Sequence, residues 1–175
     1  DKKLIIVTTP KIILQKLMVF QKYRYIKLIP AFKDNFTKNL YSTFLTFLPK
    51  KKFKYSLKKI TDKRGSFVEF IKSDSFGQVS FLKINSKLSR GNHYHMSKVE
   101  KFLLLNGRCK FQFKNMKNEY EKIDFIIDSN NTEVIETIPG WLHSLKNLSN
   151  YPIYLIIWAN EMFDKKNPDT YEKTI

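Results

Sequence analysis

Two histidines stand two positions apart in the stretch Arg90-Gly91-Asn92-His93-Tyr94-His95. Alternate side chains of a β-strand share a face, so both imidazoles would point into the same cavity. Glu100 follows after four intervening residues, and the third histidine of the sequence, His143, lies 43 positions beyond it. His93 and His95 are therefore predicted to share a metal site, and Glu100 and His143 are the candidates for its further ligands, a set that would use every histidine of the chain.

The donor set indicates which metals such a site would bind. Three neutral imidazoles and one carboxylate suit zinc, iron, nickel or manganese. The set leaves one or two coordination positions for water or substrate, which favours a catalytic metal over a purely structural one. Three ordinary surface or core histidines are the alternative interpretation.

The wider spacing resembles the signature of the cupin family. Six residues separate Glu100 from Gly107, and His143 follows a Pro139-Gly140 turn. Two positions depart from the family pattern: Lys87 stands where cupins usually have a glycine, and Pro139 and Gly140 are adjacent, one residue short of the usual spacing. The second departure predicts a tighter turn in front of His143.

The apolar pattern around this motif is that of a β protein. From about Phe53 onward, apolar residues recur at a spacing of two in short segments, which are separated by turn-forming groups such as residues 62–65 and 115–118. Many short strands at this spacing favour an antiparallel sandwich or barrel. We therefore predict a mainly β fold over residues 53–175, and the resemblance to the cupin signature implies a cupin, with its double-stranded β-helix or jelly-roll barrel.

The first 52 residues have a helical pattern instead. Thr9 and Pro10 precede apolar residues at near-helical spacing, which is typical of the start of a helix. A second helix is predicted from Phe36 through Leu48, where Pro49 ends it. We predict that residues 1–52 form a short α-helical segment that packs on the β domain or on a partner.

The formal net charge of +16 is concentrated in this front segment. Residues 1–60 contain 15 Lys or Arg and 2 acidic residues, whereas residues 61–175 contain 17 and 14. No zinc-finger, helix-turn-helix or RNA-binding aromatic motif accompanies the basic residues. We interpret them as a solvated lysine-rich surface and expect no nucleic-acid partner; nucleic-acid binding by residues 1–50 is the alternative.

The sequence also bears on location. A single cysteine, Cys109, excludes an internal disulfide and fits the cytoplasm. No apolar run reaches the roughly 18 residues that cross a bilayer, and the leading apolar stretch, residues 4–7, is too short for a signal peptide. We expect a cytoplasmic protein without a membrane partner.

Longer motifs resemble one enzyme family, the CapF-type capsular polysaccharide synthesis enzymes, in its C-terminal part. The stretches concerned are residues 35–45, 62–69, 90–95, 100–102, 158–164 and 167–171. The last two, which run from Trp158 to Asp164 and from Asn167 to Tyr171, form a long and specific motif. The likeness extends over nearly the whole chain.

The resemblance implies a function. Complete members of the family join a short-chain dehydrogenase/reductase domain, which reduces C4 of a UDP-linked 4-keto sugar with NADPH, to a zinc cupin that epimerises C3. This chain would then be a homodimeric, Zn²⁺-dependent 3-epimerase of a UDP-4-keto-6-deoxy-N-acetylhexosamine, on the pathway to UDP-N-acetyl-fucosamine. Residues 1–52 resemble the end of the reductase domain. They contain no Gly-x-x-Gly-x-x-Gly turn, so NAD(P)H is not expected as a cofactor here.

Related metal-free deoxysugar 3,5-epimerases suggest roles for other residues. Lys101 takes the place of their Lys-Leu motif and could stabilise an enolate. The stretch 62–69 resembles their substrate-contacting motif, in which Arg64 would bind the diphosphate and Glu69 would contact the sugar hydroxyls. Further substrate-binding candidates are Gln78, Arg90 and Lys98.

The general base stays open at this point. A histidine bound to a metal cannot accept a proton, so the candidates are Tyr94, Lys98, Glu69 or a metal-bound hydroxide. Two other functions also stay open: a non-catalytic metal-binding cupin that works with a separate reductase subunit, and a metal-dependent dioxygenase.

Overall fold

The computed structural model describes residues 6–174 of the chain. Leu4 and Ile5, half of the apolar stretch on which the signal-peptide expectation rests, lie outside these described residues. Within the described part of the chain, no helix is long and apolar enough to cross a membrane.

Helix α1 spans Pro10–Ile26 and begins as the sequence predicts. The Thr9 side chain accepts a hydrogen bond from the Ile12 backbone N–H, and Pro10 occupies the first turn, where its missing N–H would have had no partner. Lys27 caps the C-terminal end of the helix: its left-handed backbone, with φ of 62°, lets the Leu28 N–H donate to the Tyr23 carbonyl.

Helix α2 spans Asn35–Thr46 and is capped by Asp34, whose carboxylate accepts from the Thr37 backbone N–H at 2.6 Å. It ends two residues before the predicted Leu48, because the chain there tightens into turns between residues three apart.

Aromatic packing joins the two helices. Phe20 of α1 is buried, and its ring lies 5.1 Å from that of Tyr41 and 5.9 Å from that of Phe44 on α2. A single turn of 3-10 helix, Lys50–Lys52, leads from α2 towards the strands.

Eleven strands follow in the described residues, and they form two antiparallel sheets. In spatial order, the first sheet contains β1 (Lys59–Asp62), β2 (Gly65–Ser73), β3 (Gly77–Ile84), β10 (Ile153–Ala159), β5 (Glu100–Leu104) and β8 (Val134–Glu136). The second contains β11 (Tyr171–Glu172), β4 (Ser89–Tyr94), β9 (Trp141–Asn147), β6 (Arg108–Asn115) and β7 (Lys122–Asp128). The predicted fold class, a mainly β cupin preceded by a short helical segment, is confirmed.

The hydrophobic core lies between the two sheets. Inward-facing residues alternate along the strands, as on β6, where Cys109, Phe111 and Phe113 are buried. The Phe111 ring meets the edge of Phe102 from β5 at 5.4 Å, so aromatic contacts connect one sheet to the other.

Two left-handed residues shape the strand that carries the histidine pair. Pairing of β4 with β9 places His93 opposite His143, with a register shift between Gly91 and His93. Asn92 occupies this bulge with φ of 63°. Lys87, just before β4, has φ of 61°, a conformation that glycine adopts without steric cost. The left-handed turn therefore exists at the position where cupins usually have glycine, although a lysine makes it here.

Candidate metal centre

The three histidines and Glu100 meet inside the barrel. Their candidate ligand atoms all lie within 4.8 Å of one another. His93 and His143 are cross-strand partners on β4 and β9, His95 follows the end of β4, and Glu100 begins β5 in the other sheet. The structure thus brings together the four residues that the sequence singles out.

The shortened turn before His143 does not separate it from the cluster. Gly140 takes φ of 79°, and its N–H donates to the His95 carbonyl at 2.7 Å. This bond ties the turn in front of one candidate ligand to the backbone of another.

Hydrogen bonding fixes the tautomer of His95. Its Nδ1 lies 2.5 Å from the carbonyl oxygen of Asp169, and since a carbonyl only accepts, Nδ1 carries the proton. Nε2 faces the Glu100 Oε2 atom at 3.3 Å. In the neutral ring, Nε2 presents a lone pair to a carboxylate, and a cation between the two atoms would remove the resulting repulsion.

His143 has the environment of a ligand rather than that of a satisfied core histidine. Only 1% of its side chain is exposed, and neither ring nitrogen has a hydrogen-bond partner among the described residues. Nε2 lies 3.5 Å from Glu100 Oε2, which is too long for a well-formed hydrogen bond. An unpaired buried polar group costs about 1–3 kcal/mol. The four residues therefore fit a divalent metal ion of the kind that imidazole and carboxylate bind.

Burial and the neighbouring rings set the charges of the cluster. Burial, followed by the effect of His143, lowers the pKa of His93 to about 4, so this imidazole is neutral at neutral pH. Neutral imidazole is the form of histidine that binds metals.

The cluster lies beside a cavity of about 370 Å³ whose wall also includes apolar side chains such as Phe67, Leu82 and Ile157. A few polar groups converging in an otherwise apolar cavity are typical of small-molecule sites. Five of the residues that the sequence singles out for substrate contact or catalysis line it: Arg64, Glu69, Gln78, Arg90 and Lys98.

Asp62 holds two of these side chains next to each other. One carboxylate oxygen accepts from Arg64 at 2.7 Å and the other from Arg90 at 2.9 Å. The hydrogen bond from Arg64 is the main reason why the pKa of Asp62 is lowered. The Arg90 Nε atom is buried and has no hydrogen-bond partner among the described residues. Two guanidinium groups with one carboxylate leave a net positive charge that favours an anionic ligand.

Tyr94 and Lys101, for which the sequence predicts catalytic roles, do not line this cavity. Lys101 follows Glu100 along β5, so its side chain points to the opposite face, where Nζ pairs with Glu136 at 3.0 Å. Tyr94 lies between the two histidines and faces away from them for the same reason, with its ring stacked on Tyr171 at 5.1 Å. The orientation of these two side chains therefore does not support enolate stabilisation by Lys101 or proton transfer by Tyr94, and both roles stay predictions.

Sequence reasoning missed several residues near the C-terminal end that also line the cavity: Glu161, Phe163, Thr170 and Glu172. Glu161 Oε1 lies 3.4 Å from Lys98 Nζ, so it belongs to the polar part of the site. The only sign of their importance in the sequence was the long motif that starts at Trp158. A motif does not reveal which part of the fold its segment contacts.

A family model classifies the chain. Residues 60–171 match the model described as polysaccharide biosynthesis C-terminal domain. The chain belongs to this family. The matched region begins in β1 and ends in β11, so the polysaccharide biosynthesis C-terminal domain includes all four residues of the candidate metal centre.

Relatives of this polysaccharide biosynthesis C-terminal domain confirm the resemblance to CapF. The crystal structure of CapF, a capsular polysaccharide assembling protein from Staphylococcus aureus, superposes with a TM-score of 0.85 at 36% identity, over 93% of this chain and 45% of that one. A CapF structure with the inhibitor 3-isopropenyl-tropolone gives a TM-score of 0.87 at 36% identity, over 96% of this chain and 48% of that one.

A curated relative carries an enzymatic name. The UDP-2-acetamido-2,6-beta-L-arabino-hexul-4-ose reductase of Pseudomonas aeruginosa is 42% identical over 137 residues, which are 77% of this chain and 36% of the relative. The chain therefore spans about half or less of the length of these relatives. A dTDP sugar isomerase of Desulfovibrio desulfuricans, with a TM-score of 0.50 at 12% identity over 67% of this chain and 80% of that one, shares the fold alone.

Proposed function

We propose that this chain is a metal-dependent sugar-nucleotide epimerase that acts at C3 of a UDP-4-keto-6-deoxy-N-acetylhexosamine. The observation that supports the proposal most is the convergence of His93, His95, Glu100 and His143 within 4.8 Å, beside a cavity that two arginines line. A capsular or O-antigen polysaccharide precursor is the corresponding product class.

The name of the Pseudomonas relative supports this substrate class. It describes a UDP-linked 2-acetamido sugar with a ketone at C4. A ketone makes the hydrogen on the neighbouring carbon acidic, so C3 can be epimerised by removing a proton and returning it to the other face. The reaction needs an anion-binding group for the diphosphate, stabilisation of the developing oxyanion, and acid and base groups.

The four clustered residues would hold the metal, and we propose zinc from the donor set. When bound, a divalent cation supplies Lewis-acid stabilisation of the negative charge that develops on a substrate oxygen, worth several kcal/mol. His95 is suited to bind the metal because the Asp169 carbonyl holds the ring proton on Nδ1, which leaves the lone pair of Nε2 available as a metal ligand.

Arg64 and Arg90 bind the diphosphate, and Asp62 keeps their guanidinium groups oriented. Gln78 is held at both ends of its amide: Nε2 donates to Ser80 Oγ at 3.0 Å and Oε1 accepts from the Phe163 N–H at 3.3 Å. It therefore presents a fixed polar group to the sugar.

Proton transfer falls to Glu69 and Lys98, the predicted bases that line the cavity. Lys98 is 5% exposed, and its Nζ donates to the Pro168 carbonyl at 2.6 Å. An ammonium held in this way acts as the proton donor. The Glu69 carboxylate, which pairs with Lys72 at 2.9 Å, acts as the acceptor.

Epimerisation moves a proton and no hydride, so it requires no NAD(P)H. Reduction at C4 would be a separate activity, and a separate reductase subunit is a proposed partner for it. The division into residues 1–52 and a cupin domain over residues 53–175, the homodimer and the cytoplasmic location are parts of the same proposal.

The experiment that tests the proposal is solvent exchange at C3. The zinc-loaded protein is incubated with the UDP-4-keto-6-deoxy-N-acetylhexosamine in heavy water, and deuterium at C3 is followed by NMR. We expect deuterium to enter C3, and Glu100→Gln to lose the exchange together with the metal. A fully zinc-loaded protein that exchanges no C3 proton would refute the epimerase and favour the non-catalytic alternative. Oxygen consumption by the iron-loaded protein would instead indicate a dioxygenase.

A further inference from the structure

The segment between β10 and β11, residues 160–170, lies across the loop that connects β4 to β5, residues 95–99. We call these the C-terminal strap and the site loop. The site loop carries the candidate ligand His95 and the cavity residue Lys98. At one end of the strap, Asn160 Oδ1 accepts from the Val99 N–H at 3.0 Å.

Asp169 makes the densest set of contacts between the strap and the site loop. Its carboxylate accepts from the backbone N–H of Met96 at 2.9 Å, of Ser97 at 2.8 Å and of Lys98 at 2.7 Å. It also accepts from the Ser97 hydroxyl at 2.9 Å. Burial opposes the charge of Asp169, but the three backbone N–H groups outweigh it and hold its pKa well below the ordinary value.

The backbone around Asp169 contacts the two functional residues of the site loop. The Asp169 carbonyl accepts from Nδ1 of His95 at 2.5 Å, and the adjacent Pro168 carbonyl accepts from Nζ of Lys98 at 2.6 Å. The side chain of Asp169 therefore holds the loop backbone, while the strap backbone orients the loop side chains.

We propose that Asp169 is a positioning residue of the metal centre, which clamps the C-terminal strap to the site loop and thereby orients His95 for the metal. This inference rests on the metal centre of the proposed function. It gives the motif at residues 167–171 a physical role that the substrate contacts alone do not explain. Groups that orient metal-bound histidines typically contribute about 10–100-fold to metal affinity.

Asp169→Asn is the variant that tests the clamp. Asp169 has φ of 37°, a left-handed conformation that asparagine also tolerates, so the backbone can be kept. Asparagine removes the negative charge and replaces one carboxylate oxygen with an NH2 group, which cannot accept a hydrogen bond from a backbone N–H. Asp164→Asn is the matched control, because Asp164 lies on the same strap and its carboxylate accepts from the Lys166 N–H.

The readouts are zinc affinity, measured on the whole chain by competition with a chromophoric chelator, and the d–d absorption of the cobalt-loaded protein. We expect Asp169→Asn to weaken zinc binding by about 10–100-fold and to change the cobalt absorption, whereas Asp164→Asn behaves as wild type. A cobalt spectrum reports ligand geometry, which a purely structural loss of stability in a folded variant would not alter.

Wild-type zinc affinity and a wild-type cobalt spectrum in Asp169→Asn would overturn the inference and leave the proposed function intact. A wild-type protein that binds no zinc would overturn both. If Asp169→Asn does not fold, Ser97→Ala decides the question, because it removes one of the four hydrogen bonds to the Asp169 carboxylate. We expect it to weaken zinc binding a few-fold, and unchanged affinity would contradict the clamp.

Discussion

Replacing His143 with leucine should stabilise the metal-free protein. His143 is 1% exposed and neither of its ring nitrogens has a hydrogen-bond partner among the described residues. The rings of Phe102 and Phe113 each lie 6.3 Å from its ring, so the surroundings accept an apolar side chain of similar size. A core histidine with satisfied nitrogens would behave in the opposite way.

The expected size of the effect follows from the desolvation of the ring. An unpaired buried polar group costs about 1–3 kcal/mol, so His143→Leu should raise the free energy of unfolding by that amount in chelator. For a chain of this size, the change corresponds to a rise in Tm of roughly 2–12 °C. With zinc at about 100 times its Kd, the wild type should gain about 2.7 kcal/mol, and the variant should gain far less.

The assay is urea or thermal unfolding of both proteins, with chelator and with zinc. Asn147→Leu is the control on the same strand, since Asn147 is fully buried but its amide donates to three carbonyls and accepts from the Ser149 N–H. We expect that control to lose at least about 2 kcal/mol with or without metal. Destabilisation of the metal-free protein by His143→Leu, comparable to that of the control, would refute the reasoning.

Three further outcomes follow from the site. Lys101→Met should leave the rate of deuterium exchange at C3 within about twofold of wild type, because the side chain points away from the cavity to Glu136. A loss of exchange in the folded variant would show that Lys101 takes part in the reaction. Arg64→Lys should raise KM for the UDP-sugar by about tenfold with little change in kcat, because lysine lacks the planar fork that binds phosphate; steady-state kinetics check this, and an unchanged KM would remove Arg64 from the diphosphate site. Removal of the metal with a chelator should abolish C3 exchange and lower the Tm, and zinc should restore both; exchange that persists in metal-free protein would show that the metal is not needed.

The candidate ligands were predictable because they depend on local periodicity. Alternation along a strand places His93 and His95 on one face, and the cupin spacing adds Glu100 and His143 from other strands. The structure brings the four together, although the strand bulges at Asn92 and the turn before His143 is short.

The same periodicity argues against two of the predicted catalytic residues. Lys101 is adjacent to Glu100 and Tyr94 is adjacent to both histidines, so alternation places them on the outer face. The role predicted for Lys101 came from a motif position in metal-free relatives, whereas Tyr94 was a candidate because a metal-bound histidine cannot accept a proton; the alternation of the strands supports neither role.

The C-terminal strap could not be predicted from local pattern. Its contacts with the site loop join residues at least 61 positions apart, from Asn160 and Val99 to Asp169 and Lys98. The segment of residues 160–170 also has no regular secondary structure from which its direction could be predicted. The motif at residues 158–171 indicated the family, but only the folded structure reveals that this segment contacts the site loop.

Anomalous diffraction at the zinc edge, from crystals of the zinc-loaded protein, tests the central claim most directly. We predict a single strong peak per chain within bonding distance of His93, His95, Glu100 and His143. A zinc ion bound elsewhere, or no peak among these four side chains in protein that contains stoichiometric zinc, would contradict the account.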